Sequence, residues 1–143
     1  ATMDNLALES TGAQVSQASS WDSRHPPDSV IDGLPGTFWT TTGMFPHELI
    51  ITFDSVVQIS SISTRTFNVK RIKLYRSVAQ HPSDFNEISQ SDIDGSNKAV
   101  VHEHKISETT VRHLKIEIAN GHDDFTGMYW IKAKGENLAL NPF

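Results

Sequence analysis

An all-β domain, an antiparallel β-sandwich or jelly roll, is the fold class this sequence predicts, on three observations. Its strongest hydrophobic signal has period two. Clusters of Asp, Asn, Gly and Ser break that signal at short intervals. No run of ten or more residues carries a helical apolar stripe.

In chain order, residues 47–53 (HELIITF) are the first apolar run rich in β-branched side chains, and Asp54-Ser55 behind it reads as a turn. Residues 56–66 follow, with Val57, Ile59, Ser61 and Ser63 on one face and Val56, Gln58, Ser60, Ile62 and Thr64 on the other. In residues 69–76, Ile72 and Leu74 alternate with Arg71, Lys73 and Tyr75. Residues 111–118 put Leu114, Ile116 and Ile118 on one face, and residues 129–134 close the set. Such alternation suits strands buried on one side, the usual condition of antiparallel sheets. Asp94-Gly95-Ser96-Asn97, Asn120-Gly121-His122-Asp123 and Gly135-Glu136-Asn137 supply turns. At most one helical turn fits residues 28–31, behind Pro26-Pro27. The expected organisation is a single domain over residues 1–136 and a loosely held tail over 137–143.

Composition narrows the function. The 143 residues are 37% apolar and 20% charged, a globular balance. A net charge of −5 argues against nucleic acid or an acidic membrane surface as the main partner. The lack of cysteine removes disulfides, thiolate metal sites and thiol nucleophiles. No apolar run approaches the ~20 residues that cross a bilayer, so no membrane insertion is expected. The opening ATMDNLALESTGA has neither the basic start nor the apolar stretch of a secretory signal, which predicts a cytosolic chain. There is no Gly-x-Ser-x-Gly elbow, phosphate loop or Gly-x-Gly-x-x-Gly turn, and the Asp123-Asp124 pair has no identifiable proton-transfer partner. The chain reads as non-catalytic.

The most unusual stretch is VIDGLPGTFWTT, residues 30–41. Asp32-Gly33 and Pro35-Gly36 predict two tight reversals, since Gly tolerates positive φ. A loop wound so tightly turns carbonyls inward, and Asp32 and Thr37 add side-chain oxygens to the same point. Hard oxygens are what Ca²⁺ takes. Phe38 and Trp39 then anchor the loop by burying apolar area. The plainer reading is an Asx-turn in which Asp32 caps its own backbone.

The same residues resemble the Asp-Gly…Thr-x-Trp segment of discoidin-like, or galactose-binding-like, domains. That resemblance implies an eight-stranded jelly roll with a structural Ca²⁺. It implies the side chains of Asp32 and Thr37 and the carbonyls of Ser29 and Leu34 as ligands. A further carbonyl, of Tyr129 or Trp130, would come from the last strand, where the Glu often found in the family is missing. Over residues 24–53, RHPPDSVIDGLPGTFWTTTGMFPHELIITF, the chain further resembles the small discoidin-like subunits of the intraflagellar transport B complex. What this implies is an adaptor in cilium or flagellum and cytoplasm near the basal body. It would pair with a Rab-like small GTPase and sit among other subunits of that complex.

Other constellations have weaker claims. Thr40-Thr41-Thr42-Gly43-Met44-Phe45-Pro46 reads as a docking strip, with Met44 and Phe45 as anchors and Thr40 and Thr42 as rim. Its alternative is a β-edge that feeds Phe45 into the core. Trp21, Arg24 and His25 could imitate a lectin site, which makes a carbohydrate-binding module the alternative function. The basic stretch Arg65, Lys70, Arg71, Lys73, Arg76 lacks interleaved aromatics and reads as a solvated sheet face. Ser91–Asn97 lacks the bidentate Glu of a calcium loop and reads as a hairpin turn. His102-x-His104 puts two imidazoles on one strand face and His122-Asp123 adds a third candidate, but zinc needs a convergent third ligand and nothing in the spacing demands one.

Overall fold

The computed structural model describes residues 4–41, 44–94, 98–123 and 125–138. Its strands are β1 (Gln14–Ala18), β2 (Trp39–Thr41), β3 (His47–Phe67), β4 (Val69–Ser77), β5 (Asn86–Asp92), β6 (Val100–His104), β7 (Thr109–Gly121) and β8 (Thr126–Asn137). Every pairing is antiparallel. The predicted fold class is the one observed.

The 21-residue β3 organises the fold by changing partners along its length. Its first half lies between β1 and β7, and its second half lies between β8 and β6. One layer is therefore β1-β3-β7-β4-β5 and the other β2-β8-β3-β6. Leu49, Ile51, Ile59, Ile62, Ile72, Leu74, Leu114, Ile116, Ile118, Met128 and Ile131 are fully buried in one continuous core. Each such side chain contributes about 1.5–3 kcal/mol by leaving water.

The five runs of the sequence fall on the four long strands, two of them on β3, but three local expectations change. Asp54-Ser55 is no turn: both residues stay inside β3, and the register against β7 shifts between Thr52 and Val57 to accommodate them. The buried set also changes phase. Val57 and Ile59 are buried, but so are Ile62, Thr64 and Thr66, because the register against β8 slips between Ile59 and Ser61. A β-bulge inserts one residue and so exchanges the two faces. Gly135-Glu136-Asn137 lies within β8. There the backbones run so close that a Cβ on Gly135 would stand 1.8 Å from the Gln58 carbonyl oxygen. Glycine here serves close approach rather than reversal. Residues 95–97, part of an expected turn, and 139–143, most of the expected tail, lie outside the described residues.

The expected helical turn exists as a 3₁₀ segment, Pro27–Ile31. It packs against β1, β2 and β8 and buries Pro27, Ser29, Val30 and Ile31. That burial holds the start of the VIDGLPGTFWTT loop against the sandwich.

Candidate metal loop and docking groove

The 3₁₀ segment delivers Asp32 at its C-terminal end, and Gly33 at φ +79° reverses the chain. Pro35-Gly36 needs no positive φ, so only the first predicted reversal rests on glycine's freedom. The predicted oxygens converge. The Thr37 hydroxyl lies 2.6 Å from Asp32 Oδ2, 3.3 Å from the Leu34 carbonyl and 3.4 Å from the Ser29 carbonyl. A hydroxyl owns one proton and can satisfy one of the three acceptors. Asp32 Oδ1 meanwhile accepts from the Leu34 N–H at 2.9 Å. The Asx-turn and the oxygen cluster thus coexist on the two oxygens of one carboxylate.

The donor set is one carboxylate, one hydroxyl and two carbonyls, all hard oxygens. That chemistry fits Ca²⁺ rather than zinc, and it supplies part of the 6–8 ligands Ca²⁺ takes. Among the described residues no three His, Cys, Asp or Glu side chains gather elsewhere as a metal site.

The last strand reaches this loop through a bulge. Arg65 of β3 faces Trp130, while Thr66 faces Met128, which leaves Tyr129 as the extra residue. Met128 and Ile131 are fully buried, and the two aromatics between them both turn outward. The Trp130 ring borders a hollow of about 100 Å³ with Leu8, Val30, Gly33, Leu34 and Pro35. The Tyr129 ring turns the other way.

Tyr129 stands in a groove of about 310 Å³ on the outer face of the β2-β8-β3 layer. Phe38, the residue after Thr37, forms its wall. The Phe38 ring stacks on His25 at 4.0 Å between centroids and tilts against Tyr129 at 5.2 Å. The Arg65 guanidinium lies over the Tyr129 ring at 4.7 Å. Phe67 and Phe125, 5.8 Å apart, close the far side. On the rim Asp22 accepts from the Arg24 backbone N–H at 2.9 Å and from its guanidinium at 3.0 Å. The Arg24 side chain, then its N–H, hold the Asp22 carboxyl down at about 2.

Of the predicted docking strip, Thr40 lines this groove. Its N–H donates to the His25 carbonyl at 3.3 Å, and its carbonyl accepts from the Asp22 N–H at 3.3 Å. Thr41 points inward and shares a buried hydroxyl bond with Thr126. Thr42 lies outside the described residues. Met44 is 92% exposed. Phe45 is half-buried, packs on the core and meets the His47 ring edge-on at 5.1 Å. Trp39 is fully buried and donates from Nε1 to the Ser20 carbonyl at 2.8 Å, which pins the loop as expected. Trp21 is exposed and does not line the groove.

The histidine pair is structural. The His102 and His104 rings meet at 4.8 Å, and buried His104 bonds to the hydroxyls of Thr64 at 2.9 Å and Ser91 at 3.1 Å. Burial, then the charge of His102, lowers His104 to about 4. Sequence reasoning missed Asp22, Phe67 and Phe125 as groove residues. Asp22-x-Arg24 is a local signal; Phe67 at the end of β3 and Phe125 just before β8 are far apart in sequence and carry none.

A family model described as F5/8 type C domain matches residues 14–130, from β1 into β8. The chain belongs to that family. Its curated relatives are narrower in kind. The Homo sapiens intraflagellar transport protein 25 homolog is 34% identical over 132 residues, 92% of this chain and 92% of that protein. The Mus musculus homolog is 31% identical, over 96% of this chain and 97% of its own. Chlamydomonas reinhardtii intraflagellar transport protein 25 is 29% identical, over 93% of this chain and 70% of its own. Within the class, then, the chain is a member of the intraflagellar transport protein 25 family. Solved structures agree on the fold. The family 32 CBM from C. perfringens NanJ in complex with galactose superposes with a TM-score of 0.76 at 14% identity, over 94% of this chain and 99% of that one. Chitosan-binding module 1 from a Paenibacillus chitosanase/glucanase reaches 0.79 at 14% identity, over 93% and 100%.

Proposed function

We propose that the protein is a non-catalytic adaptor of the intraflagellar transport B complex. It heterodimerises with a Rab-like small GTPase and holds a structural Ca²⁺ in the loop from Ser29 to Thr37. Family membership carries this reading. A member of an intraflagellar transport family works in the cilium or flagellum.

The GTPase reading is supported by the groove and, separately, by the exposed side chain of Met44. Aromatic walls, a rim ion pair and an exposed Met anchor are the make-up of a preformed protein interface. Such a surface binds with little ordering cost because the rings are already fixed. Affinity capture from ciliated cells tests it: a small GTPase should be recovered in near-equal amount, with other train subunits behind it. Thr40→Arg places a cation on the groove wall, and it should weaken GTPase binding at least 100-fold without changing the melting temperature. Retained binding would remove the groove from the interface.

The calcium reading is supported by the convergence of Asp32, Thr37, Ser29 and Leu34 oxygens. Ca²⁺ would be held by these four groups, and Tyr129 or Trp130 would add a carbonyl. Calorimetric titration with CaCl₂ should give one site that Asp32→Asn abolishes, and chelation should lower the melting temperature while GTPase affinity at low temperature stays nearly intact. No heat, or affinity that tracks free Ca²⁺, would overturn a structural role.

One observation favours a second reading. The groove offers ring faces beside the Asp22–Arg24 pair, groups that also bind sugars. A reproducible glycan-array signal that Arg24→Ala removes would establish a carbohydrate-binding module instead.

A further inference from the structure

Beyond the groove, Val101, Glu103, Lys132 and Lys134 are exposed on the outer face of the β6-β3-β8 layer, which carries a different chemistry. In register, Arg65 faces Trp130, Ser63 faces Lys132 and Ser61 faces Lys134. The Lys132 ammonium lies 4.4 Å from the Trp130 ring centroid, and Arg65 lies on Tyr129. On the far side Arg65 faces Val101 of β6, which is 61% exposed.

Acidic residues outnumber basic ones 17 to 12 in this chain, yet few ion pairs form among the described residues. Arg24, Arg71 and Lys115 form ion pairs with Asp22, Asp92 and Glu48. Arg65, Lys132 and Lys134 form no ion pair among the described residues. The structure thus leaves three unneutralised cations on one sheet face, two of them seated on aromatic rings.

We propose that this face docks an acidic, extended segment of a protein other than the GTPase. Lys132 and Lys134 point the same way two residues apart, about 7 Å along the strand. An extended segment repeats its own side chains at the same interval, so carboxylates at alternate positions meet both ammonium groups. Trp130 and Val101 supply apolar contact for a neighbouring aliphatic residue, and Arg65 can bind a carboxylate with two N–H groups. Glu103 faces Ser63 from β6, and Glu136 follows Lys134 on β8. They border the strip, so a continuous polyphosphate would meet carboxylates at both sides. A short acidic protein segment would not.

The proposal is independent of the GTPase site. The probe is a fluorescein-labelled peptide, Leu-Ser-Glu-Ser-Glu-Ser-Leu, read by fluorescence anisotropy against the intact protein at 50 and 300 mM NaCl. Wild type should bind it, several-fold more weakly at the higher salt, and should ignore the peptide with Lys in place of Glu. Lys132→Glu/Lys134→Glu should lose at least tenfold in affinity while still capturing the GTPase. Lys132→Gln/Lys134→Gln should lose less, and it secures the test if the double reversal folds poorly. Thr40→Arg should show the converse pattern. No binding by wild type, equal binding by the variants, or a preference for oligo-dT or phosphatidylserine vesicles would each overturn the proposal.

Discussion

The two outer faces of this sandwich treat their cations in opposite ways. On the β3-β7-β4 face, Lys115 is enclosed. Its ammonium lies 4.5 Å from the Tyr75 ring centroid, 4.8 Å from that of Phe85 and 3.9 Å from Glu48 Oε1. Glu48 and Glu117 stand directly opposite across β3 and β7, a pairing that repels. The lysine beside them offsets that repulsion. The Tyr75 hydroxyl is pushed up, first by burial, then by Glu117, Glu87 and Glu48. The chain covers this face itself: Phe85 belongs to the segment between β4 and β5, and His113 ties that segment down. On the β8-β3-β6 face, Lys132 sits on a single ring and forms no ion pair among the described residues. One face is completed by its own chain. The other presents its interactions outward, and the groove and the unpaired cations both lie on that side.

The comparison predicts a strong dependence of the closed face on its tether. The Ala79 carbonyl can only accept, so His113 carries its proton on Nε2, which donates to it at 2.9 Å. Nδ1 lies 2.8 Å from the oxygen of the Thr52 hydroxyl, which donates to Ser16 Oγ at 2.9 Å. His113→Ala removes a buried ring and leaves Ala79 and Thr52 without it, a loss of about 3 kcal/mol. Urea unfolding measures the loss, and hydrogen exchange should locate it in residues 78–85. Capture of the proposed GTPase partner should not change. A loss under about 1 kcal/mol would mean the cover is held by something else.

A second test falls on the seam between the layers, where His104 joins Thr64 of β3 to Ser91 of β5. Burial holds its folded value at about 4, against an ordinary 6.5. The unfolded chain therefore binds the extra proton first as pH falls. Stability from this group is complete above pH 6.5 and is lost progressively between 6.5 and 4. The full loss is about 3 kcal/mol. His104→Gln should flatten that part of the pH–stability curve. If wild type and variant curves run parallel from pH 7 to 4, the seam does not depend on a neutral imidazole.

How much of this was legible depends on how each feature is made. β3, β4, β7 and β8 bury one side along their length, and period-two alternation declares that. The short strands β1, β2, β5 and β6, such as QVSQA and NEISQSD, lie at layer edges and have few apolar positions to alternate. Pairing with a neighbour makes them strands. Asp54-Ser55 and Gly135 are turn chemistry overridden by the same pairing. The oxygen loop was legible because Asp32, Gly33, Leu34 and Thr37 are sequence neighbours. The groove was not, because Phe38, Phe67, Phe125 and Tyr129 meet only through topology. The Tyr129–Trp130 bulge had no signal either, since two adjacent aromatics on a strand ordinarily face opposite sides.

The smallest effects separate the faces most directly. Lys115→Met keeps the unbranched stem and removes the charge. It forfeits contacts with two rings and one carboxylate and leaves Glu48 facing Glu117. Each cation–ring contact is worth about 0.5–1 kcal/mol, and an exposed ion pair less, so the loss should be about 1 kcal/mol. Lys132→Met forfeits one ring contact at an exposed site, about 0.5 kcal/mol or less, and removes no partner charge. Paired urea melts at low salt measure the difference. With equal losses, the contrast between a completed face and an open one fails energetically. With Lys132→Met near neutral for folding, its ammonium is free for a partner at almost no cost to the fold, which is the condition an interface residue has to meet.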